Sequence, residues 1–130
     1  MNERPYQKLI AWREAYALSL WIYSISRKFP ADERFGLISQ IRRAGSSVPI
    51  NIAEGNTKHS KKQRAHYFEI ALASLNEVDC ELMLAKDLGY ISLQDYNVGI
   101  DKIQRTSFLL TRLLQSVSSP LRVPRSPRVL

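Results

Sequence analysis

The chain has 130 residues, a formal net charge of +7 and one cysteine, Cys80. This length predicts a single domain that buries a core without metal support, and one cysteine excludes an internal disulfide. The sequence contains neither a cleavable signal pattern nor an apolar run of the roughly 18 residues that a membrane helix needs. We therefore expect a cytoplasmic protein without a membrane partner, and the positive charge favours polyanions as partners.

The first predicted helix runs from Pro5 to Phe29, because proline suits a first helical turn and Pro30 disfavours helical geometry before it. Its apolar residues form two stripes, whereas a helix in a monomeric bundle needs one. The stripes comprise Leu9, Trp12, Tyr16, Leu20 and Tyr23, and Ile10, Ala17, Trp21 and Ile25. Either the core face is wide, or the second stripe, with Trp21, contacts another subunit.

The second predicted helix contains the segment Gln40 to Asn56, around which the other helices are organised. An apolar stripe at steps of three and four indicates its core face. The stripe comprises Ile38, Ile41, Gly45, Val48 and Ile52, with Arg43, Ser47 and Glu54 opposite. Pro49 lies inside this pattern, where proline removes a backbone donor. The continuous stripe favours a kinked helix, and the alternative is a break at Ser47. Asp32 is the expected N-cap, and Gly55 is expected to end the helix.

The third predicted helix has the most regular pattern in the chain. Ser60 and Gln63 match a capping box, so the helix should begin at Lys61 and end at Gly89. Its core stripe comprises Phe68, Ala71, Leu75, Val78, Leu82 and Ala85.

The fourth predicted helix begins after Ser92, with Asp95 three residues further on. Its face comprises Tyr96, Ile100, Ile103, Leu110, Leu114 and Val117, with Gly99 and Ser107 as weak points. Four helices joined by short loops predict an all-α, antiparallel up-down-up-down four-helix bundle over residues 1–117. Residues 118–130 contain three prolines and three arginines without a period, which predicts a basic, proline-rich disordered tail.

No pattern in the chain indicates an enzyme. A di-metal bundle needs Glu-x-x-His pairs, which are absent, and His59 and His66 are too far apart along one helix to share a metal. The Gly-x-Ser-x-Gly elbow is absent around Ser46. Glu77 and Glu81, one turn apart, are interpreted as a solvated face rather than an acid/base pair. We therefore predict no catalytic residue, metal, cofactor or small-molecule substrate.

A basic cluster is the feature that points to a ligand. It consists of the four positive charges of Lys58, Lys61, Lys62 and Arg64, with His59 and His66 among them, and Arg42, Arg43 and the arginines of the tail are further candidates. The cluster lies at the start of a helix, where the helix dipole attracts anions and disfavours cations. It is interpreted either as a site for RNA or DNA phosphates or as an ordinary solvated surface.

A series of motifs resembles a known family. Phe29-Pro30, Phe35-Gly36-Leu37, the segment from Gln40 to Asn56, the stretch from Ile70 to Leu82 and the run Leu88-Gly89-Tyr90-Ile91 occur in this order. Together they resemble the bacterial four-helix-bundle proteins encoded in intervening sequences of 23S ribosomal RNA genes. The resemblance covers about residues 5–117.

The resemblance implies a homopentamer and a relation to the accessory variability determinant of diversity-generating retroelements, whose basic rings associate with nucleic acid. It also implies polar positions that stabilise contacts between helices or subunits, matching the family's Asn-x-x-Glu-Gly and Ser-x-x-Glu. With the positions already discussed, the residues expected to act in structure or assembly are Trp21, Arg43, Pro49, Asn51, Glu54, Gly55, Ser74 and Glu77.

Two functional interpretations follow. The first is a non-enzymatic, oligomeric scaffold that binds nucleic acid weakly and without sequence preference. The second is a protein-protein interaction module with no nucleic-acid role.

Overall fold

The computed structural model describes residues 2–118, which form four α-helices and three short 3-10 turns. The helices are α1 (Ile10–Ile25), α2 (Leu37–Asn56), α3 (Lys61–Asp87) and α4 (Leu93–Val117). The turns are Pro5–Lys8, Ser26–Lys28 and Ala31–Glu33. No strand occurs in this part of the chain, so the predicted all-α, four-helix class is confirmed. Apart from Ser118, the predicted tail lies outside the described residues.

The four helices pack in a closed cycle around one core. α1 contacts α2, α2 contacts α3, α3 contacts α4, and α4 contacts α1. The most extensive of these interfaces joins α2 and α3, which are connected by only four residues, Thr57 to Ser60. The core therefore lies along the axis of the cycle and is lined by one face of every helix.

α3 matches its prediction. The helix begins at Lys61, and the Ser60 hydroxyl accepts a hydrogen bond from the Gln63 N–H at 3.1 Å. It ends just before Gly89, whose φ of +79° is a left-handed conformation that favours glycine. All six residues of the predicted core stripe are buried.

α4 matches its predicted start, since the Asp95 N–H donates to the Ser92 hydroxyl at 3.0 Å. Its predicted face is only partly buried. Ile103, Leu110 and Val117 lie in the core, whereas Tyr96, Ile100 and Leu114 are half-buried at its edge. The polar Thr106 takes a core position because its hydroxyl donates to the Lys102 carbonyl at 2.8 Å, which satisfies it without a tertiary partner.

The prediction for α1 is wrong in both its start and its buried face. Residues 5–8 form a 3-10 turn, and the α-helix begins at Ile10. Neither predicted stripe is the core face, since Tyr16, Leu20 and Tyr23 of the first stripe are exposed, as are Ile10 and Ala17 of the second. The buried residues are Ala11, Ala15, Leu18, Ser19, Ile22 and Ile25, of which only Ile25 belongs to a predicted stripe.

The small residues of α1 face the core because α1 approaches α2 closely. A Cβ added to Gly45 of α2 would lie 2.7 Å from the Ile22 δ-methyl group. A helix that packs so closely presents its alanines to its neighbour and leaves its aromatic residues at the flanks. A search for large apolar residues at helical spacing therefore selects the wrong face of α1.

α2 is one continuous helix with Pro49 inside it, so the break at Ser47 does not occur. Its start differs from the prediction, because the N-cap is Gly36 and not Asp32, and the Leu37 N–H donates to Glu33 Oε1 at 3.1 Å. Gly55 does not end the helix. It lies buried within the last turn, against Phe68 of α3, and the helix continues to Asn56.

Candidate assembly and nucleic-acid surfaces

The predicted basic cluster lies at the turn between α2 and α3, and two of its four members already have partners. Lys58 pairs with Glu54 Oε2 at 3.5 Å and lies 5.1 Å from the centre of the Tyr67 ring. Arg64 donates to Asn56 Oδ1 at 3.3 Å, while its Nε is buried without a partner in the described part of the chain. These contacts fix both side chains in place.

Lys61 and Lys62 are exposed and line one open cleft, and Lys62 also lines a second. One cleft, of about 650 Å³, lies between the start of α3 and the end of α4 and is also lined by His66 and Val117. The second, of about 600 Å³, contains Lys58 and Tyr67. Lys62 and His66 belong to both clefts. The arrangement is a shallow, basic concavity at one end of the bundle that can receive anionic groups from solvent.

Arg42 and Arg43 lie far from this concavity. Arg42 and Lys58 are 16 residues apart in a nearly continuous helix, which is roughly 24 Å at about 1.5 Å per residue. Arg42 donates from Nε to the Ser26 hydroxyl at 2.8 Å and from Nη2 to the Tyr23 carbonyl at 3.3 Å. It thereby satisfies groups at the end of α1, so the structure does not bring the two arginines into the basic cluster.

A polar network connects α2 to α3. The Ser74 hydroxyl donates to Ser47 Oγ at 2.8 Å. The Asn51 amide donates to Ser47 Oγ at 2.9 Å and to its carbonyl at 2.8 Å. Ser47 therefore faces α3 and not the opposite side of α2, which corrects the sequence prediction. Asn51 and Ser74 both act on this contact between helices.

Glu81 of α3 is buried beside the same contact between α2 and α3, with 8% of its surface exposed. Its Oε1 has no hydrogen-bond partner among residues 2–118. Burial, together with the neighbouring charge of Glu77 and a hydrogen bond shared with it, raises the pKa of Glu81 to about 7, and Arg43 opposes this shift. The interpretation of Glu77 and Glu81 as one solvated face is therefore wrong for Glu81, while Glu77 is exposed.

Sequence reasoning missed Ser47 and Glu81 as interhelical groups, although a signal was present. Both residues lie beside the core stripe of their helix, at its border with the polar face. A polar residue at such a border faces the neighbouring helix whenever two helices pack closely. The sequence alone does not say which border that is.

An apolar groove runs between α1 and α2. It has a volume of about 300 Å³ and is lined mainly by Tyr6, Trp12, Tyr16, Pro49, Ile50 and Ala53. Trp12 stacks on Tyr16 with ring centroids 4.8 Å apart. Trp21 is not part of this groove, because its indole packs within the subunit on Gly99 of α4.

The described residues contain no group of His, Cys, Asp and Glu side chains that could hold a metal ion. Across residues 2–118, no helix combines the length and the apolar character that spanning a bilayer requires.

Comparison with known proteins gives a structural neighbour and a family. The chain is similar to a crystal structure of a protein with unknown function from the S23 ribosomal protein family of Bacteroides thetaiotaomicron. The TM-score is 0.76 and the identity 21%, over 82% of this chain and 96% of that chain, so the likeness shows the fold alone. A comparison with curated proteins gives no match.

The family model described as 23S rRNA-intervening sequence protein matches residues 7–112, which is most of the chain. Neither this description nor that of the neighbour names a reaction. The chain belongs to the family of 23S rRNA-intervening sequence proteins.

Proposed function

We propose that this protein is a non-enzymatic scaffold in the cytoplasm, which assembles from identical copies, in a ring of five, and holds RNA or DNA weakly without reading sequence. The single observation that carries the nucleic-acid part is the open concavity lined by Lys61, Lys62 and His66. Neither lysine has a carboxylate partner among the described residues, so both ammonium groups are available to phosphates.

We infer that each subunit is an antiparallel, up-down-up-down bundle. Contacts between neighbouring helices support this order, because residue numbers rise along one helix as they fall along the next. In α1 and α4, Glu14 pairs with Arg105, and Lys28 near the end of α1 pairs with Asp95. A kink at Pro49 of α2 is part of the same proposal, since proline removes a hydrogen bond inside the helix.

Assembly is supported by the large apolar side chains that the subunit leaves exposed. They include Ile10, Tyr16, Leu20, Phe35, Ile50, Leu84 and Phe108. An assembly of several copies covers such surface and also repeats the concavity. Repetition matters because each concavity is shallow, and linked weak contacts bind a long polyanion far more tightly than a single contact does.

The test of the nucleic-acid proposal replaces Lys58, Lys61, Lys62 and Arg64 with Ala. We expect binding of single-stranded RNA in a filter assay to weaken for all sequences alike. The slope of log affinity against log salt should fall by about 0.7 for each phosphate that the variant no longer neutralises. A matched control replaces Arg27, Lys28 and Arg34, which are exposed, and the half-buried Lys86, and it should retain binding. Unchanged binding by the first variant would exclude the concavity as the site.

The alternative is a protein-protein interaction module with no nucleic-acid role, which the aromatic groove between α1 and α2 favours. Aromatic-lined apolar grooves are a common form of protein recognition site. Light scattering combined with the ratio of absorbance at two ultraviolet wavelengths separates the two functions. An oligomer free of nucleic acid at low salt supports the alternative, and co-purifying nucleic acid supports the scaffold.

A further inference from the structure

The second cleft of the basic concavity contains an aromatic ring, of which the proposed function makes no use. This cleft has a volume of about 600 Å³ and is lined by Lys58, Ser60, Lys62, Gln63, His66 and Tyr67. Its size lies within the range of roughly 300–1,000 Å³ that is usual for small-molecule pockets. An aromatic ring beside two ammonium groups suits a nucleotide, because the ring can bind the base while the ammonium groups bind the phosphate.

The Tyr67 ring is held in one position by its neighbours. Tyr67 is half-buried, and its stem packs on α2 so closely that a Cβ added to Gly55 would lie 3.1 Å from the Tyr67 Cβ. The His66 ring meets the Tyr67 ring edge-on, with centroids 5.3 Å apart. The Lys58 ammonium group lies 5.1 Å from the centre of the Tyr67 ring. The cleft therefore contains a rigid aromatic surface that already attracts a cation.

A nucleotide base can replace the Lys58 ammonium group on this ring. Stacking of a base on an aromatic side chain is a stronger contact than a cation near an exposed ring. The pair of Lys58 with Glu54, at 3.5 Å, joins two partly exposed side chains, and such surface pairs contribute little. Both contacts of Lys58 therefore hold it in the free subunit and give way to a ligand, whose phosphate the displaced ammonium group can bind.

The rim of the cleft supplies further donors for a phosphate. Lys62 is exposed and has no carboxylate partner in the described chain. The Ser60 hydroxyl accepts a hydrogen bond from the Gln63 N–H, so its own proton remains available to an acceptor. Lys62 also lines the first cleft, together with Lys61, so a strand that enters one cleft can continue along the other.

We propose that this cleft binds one unpaired nucleotide, with its base stacked on Tyr67 and its phosphate on Lys58 and Lys62, so that the protein prefers single-stranded to double-stranded nucleic acid. This inference rests on the proposed nucleic-acid function and names its ligand. In a duplex the neighbouring bases cover each base face, so Tyr67 cannot reach one unless the stack opens. Every base has a π face, so stacking also agrees with binding that does not read sequence.

The test compares a fluorescently labelled RNA single strand with the blunt duplex that it forms with its complement, by fluorescence anisotropy. We expect the parental protein to bind the single strand roughly tenfold more tightly than the duplex. Tyr67→Leu should remove this difference by weakening single-strand binding alone, whereas Tyr67→Phe keeps the ring and should bind like the parental protein. In Tyr67→Trp, the single strand should quench the fluorescence of the new indole, and the parental protein gives the background from its two native tryptophans.

The matched control is Tyr23→Leu, which changes another tyrosine beside a cation, since the Arg42 guanidinium lies 4.9 Å from the Tyr23 ring centre. It should leave both affinities unchanged, and circular dichroism should show that all variants retain helical content. Equal parental binding of single strand and duplex would mean that the concavity binds phosphates by charge alone, so this inference would be wrong while the proposed function stands. A preference that persists in Tyr67→Leu, or an equal loss for both ligands, also overturns the inference. A parental protein that binds neither RNA overturns the inference and the proposed function together.

Discussion

α1 and α3 use their large apolar residues in opposite ways. In α3 the largest core side chain, Phe68, is fully buried, and small residues such as Ala73 lie outside. In α1 the core positions are Ala11, Ala15, Leu18 and Ile22, and the aromatic residues lie at the flanks. The comparison shows that the size of a residue does not by itself indicate which face of a helix is buried. The distance to the neighbouring helix decides it.

The strongest test of this difference removes one aromatic ring from each helix. Phe68→Ala should lower the free energy of unfolding by about 3–5 kcal/mol, because it leaves a cavity in a closely packed core. Tyr16→Ala should cost less than about 1 kcal/mol in the monomer, since 47% of Tyr16 is exposed. Urea denaturation followed by circular dichroism measures both, and the slope of the transition should not change.

Equal decreases in the free energy of unfolding for Phe68→Ala and Tyr16→Ala would contradict this difference between the helices, because they would mean that Tyr16 belongs to the core. Phe108→Ala is the matched control, because it makes the same substitution as Phe68→Ala at a position that is 61% exposed. Its effect on the free energy of unfolding should be as small as that of Tyr16→Ala. Measurements at low protein concentration keep subunit contacts out of the result.

Most of the fold was predictable from local patterns. α3 and the start of α4 have capping residues and glycine signals that act within a few residues, so Ser60, Gly89 and Ser92 were assigned from sequence alone. α1 lacks a side-chain N-cap hydrogen bond, and its face depends on how closely it approaches α2. That distance is set by residues far away in sequence, which a periodic pattern does not contain.

The candidate sites were predictable to a different extent. The basic cluster at the turn before α3 is a local property, and Lys62 shares one cleft with Lys61 and the other with Lys58. Arg42 was grouped with them only because its charge has the same sign, and it caps the end of α1 instead. The burial of Glu81 depends on the packing of α2 against α3, so sequence reasoning placed it in solvent.

A second test sharpens the comparison at the flank of α1, where Trp21 meets α4. A Cβ at Gly99 would lie 2.5 Å from a Leu82 δ-carbon and 2.6 Å from the end of the Trp21 ring. Alanine is preferred over glycine in a helix by about 1 kcal/mol, but overpacking costs about 1–3 kcal/mol. We therefore expect Gly99→Ala to lower the free energy of unfolding by about 1 kcal/mol net, as measured by urea denaturation.

The cause of that decrease can be separated from a general effect on α4. Gly99→Ala combined with Trp21→Phe should recover part of the stability, because the smaller ring makes room for the new methyl group. Asn97→Ala, at an exposed position of the same helix, should be neutral or slightly stabilising. A gain in stability from Gly99→Ala alone would show that Trp21 moves aside freely and that the flank of α1 is loosely packed.

The smallest expected effect concerns Glu81, the ionisable residue among the buried positions of α3. The pKa of Glu81 is raised to about 7, so between pH 5 and 7 the folded state holds a proton that the unfolded state has released. The free energy of unfolding should therefore fall as pH rises through this window. Glu81→Gln removes the dependence. This change should stabilise the subunit at pH 8 by about 1 kcal/mol, a value that allows for screening by solvent. It should have little effect at pH 4, where the carboxyl group is protonated in both the folded and the unfolded state.

This measurement is made at low protein concentration, which keeps subunit contacts out of the result. Glu77 and Arg43 are the charged groups that face Glu81 from α3 and α2, so Arg43→Gln should raise the pKa of Glu81 further and extend the window to higher pH. If Glu81→Gln instead lowers the free energy of unfolding at pH 8, the carboxylate is already satisfied within the subunit. α3 would then bury an ionised carboxylate at no cost in stability, which would contradict a raised pKa of Glu81.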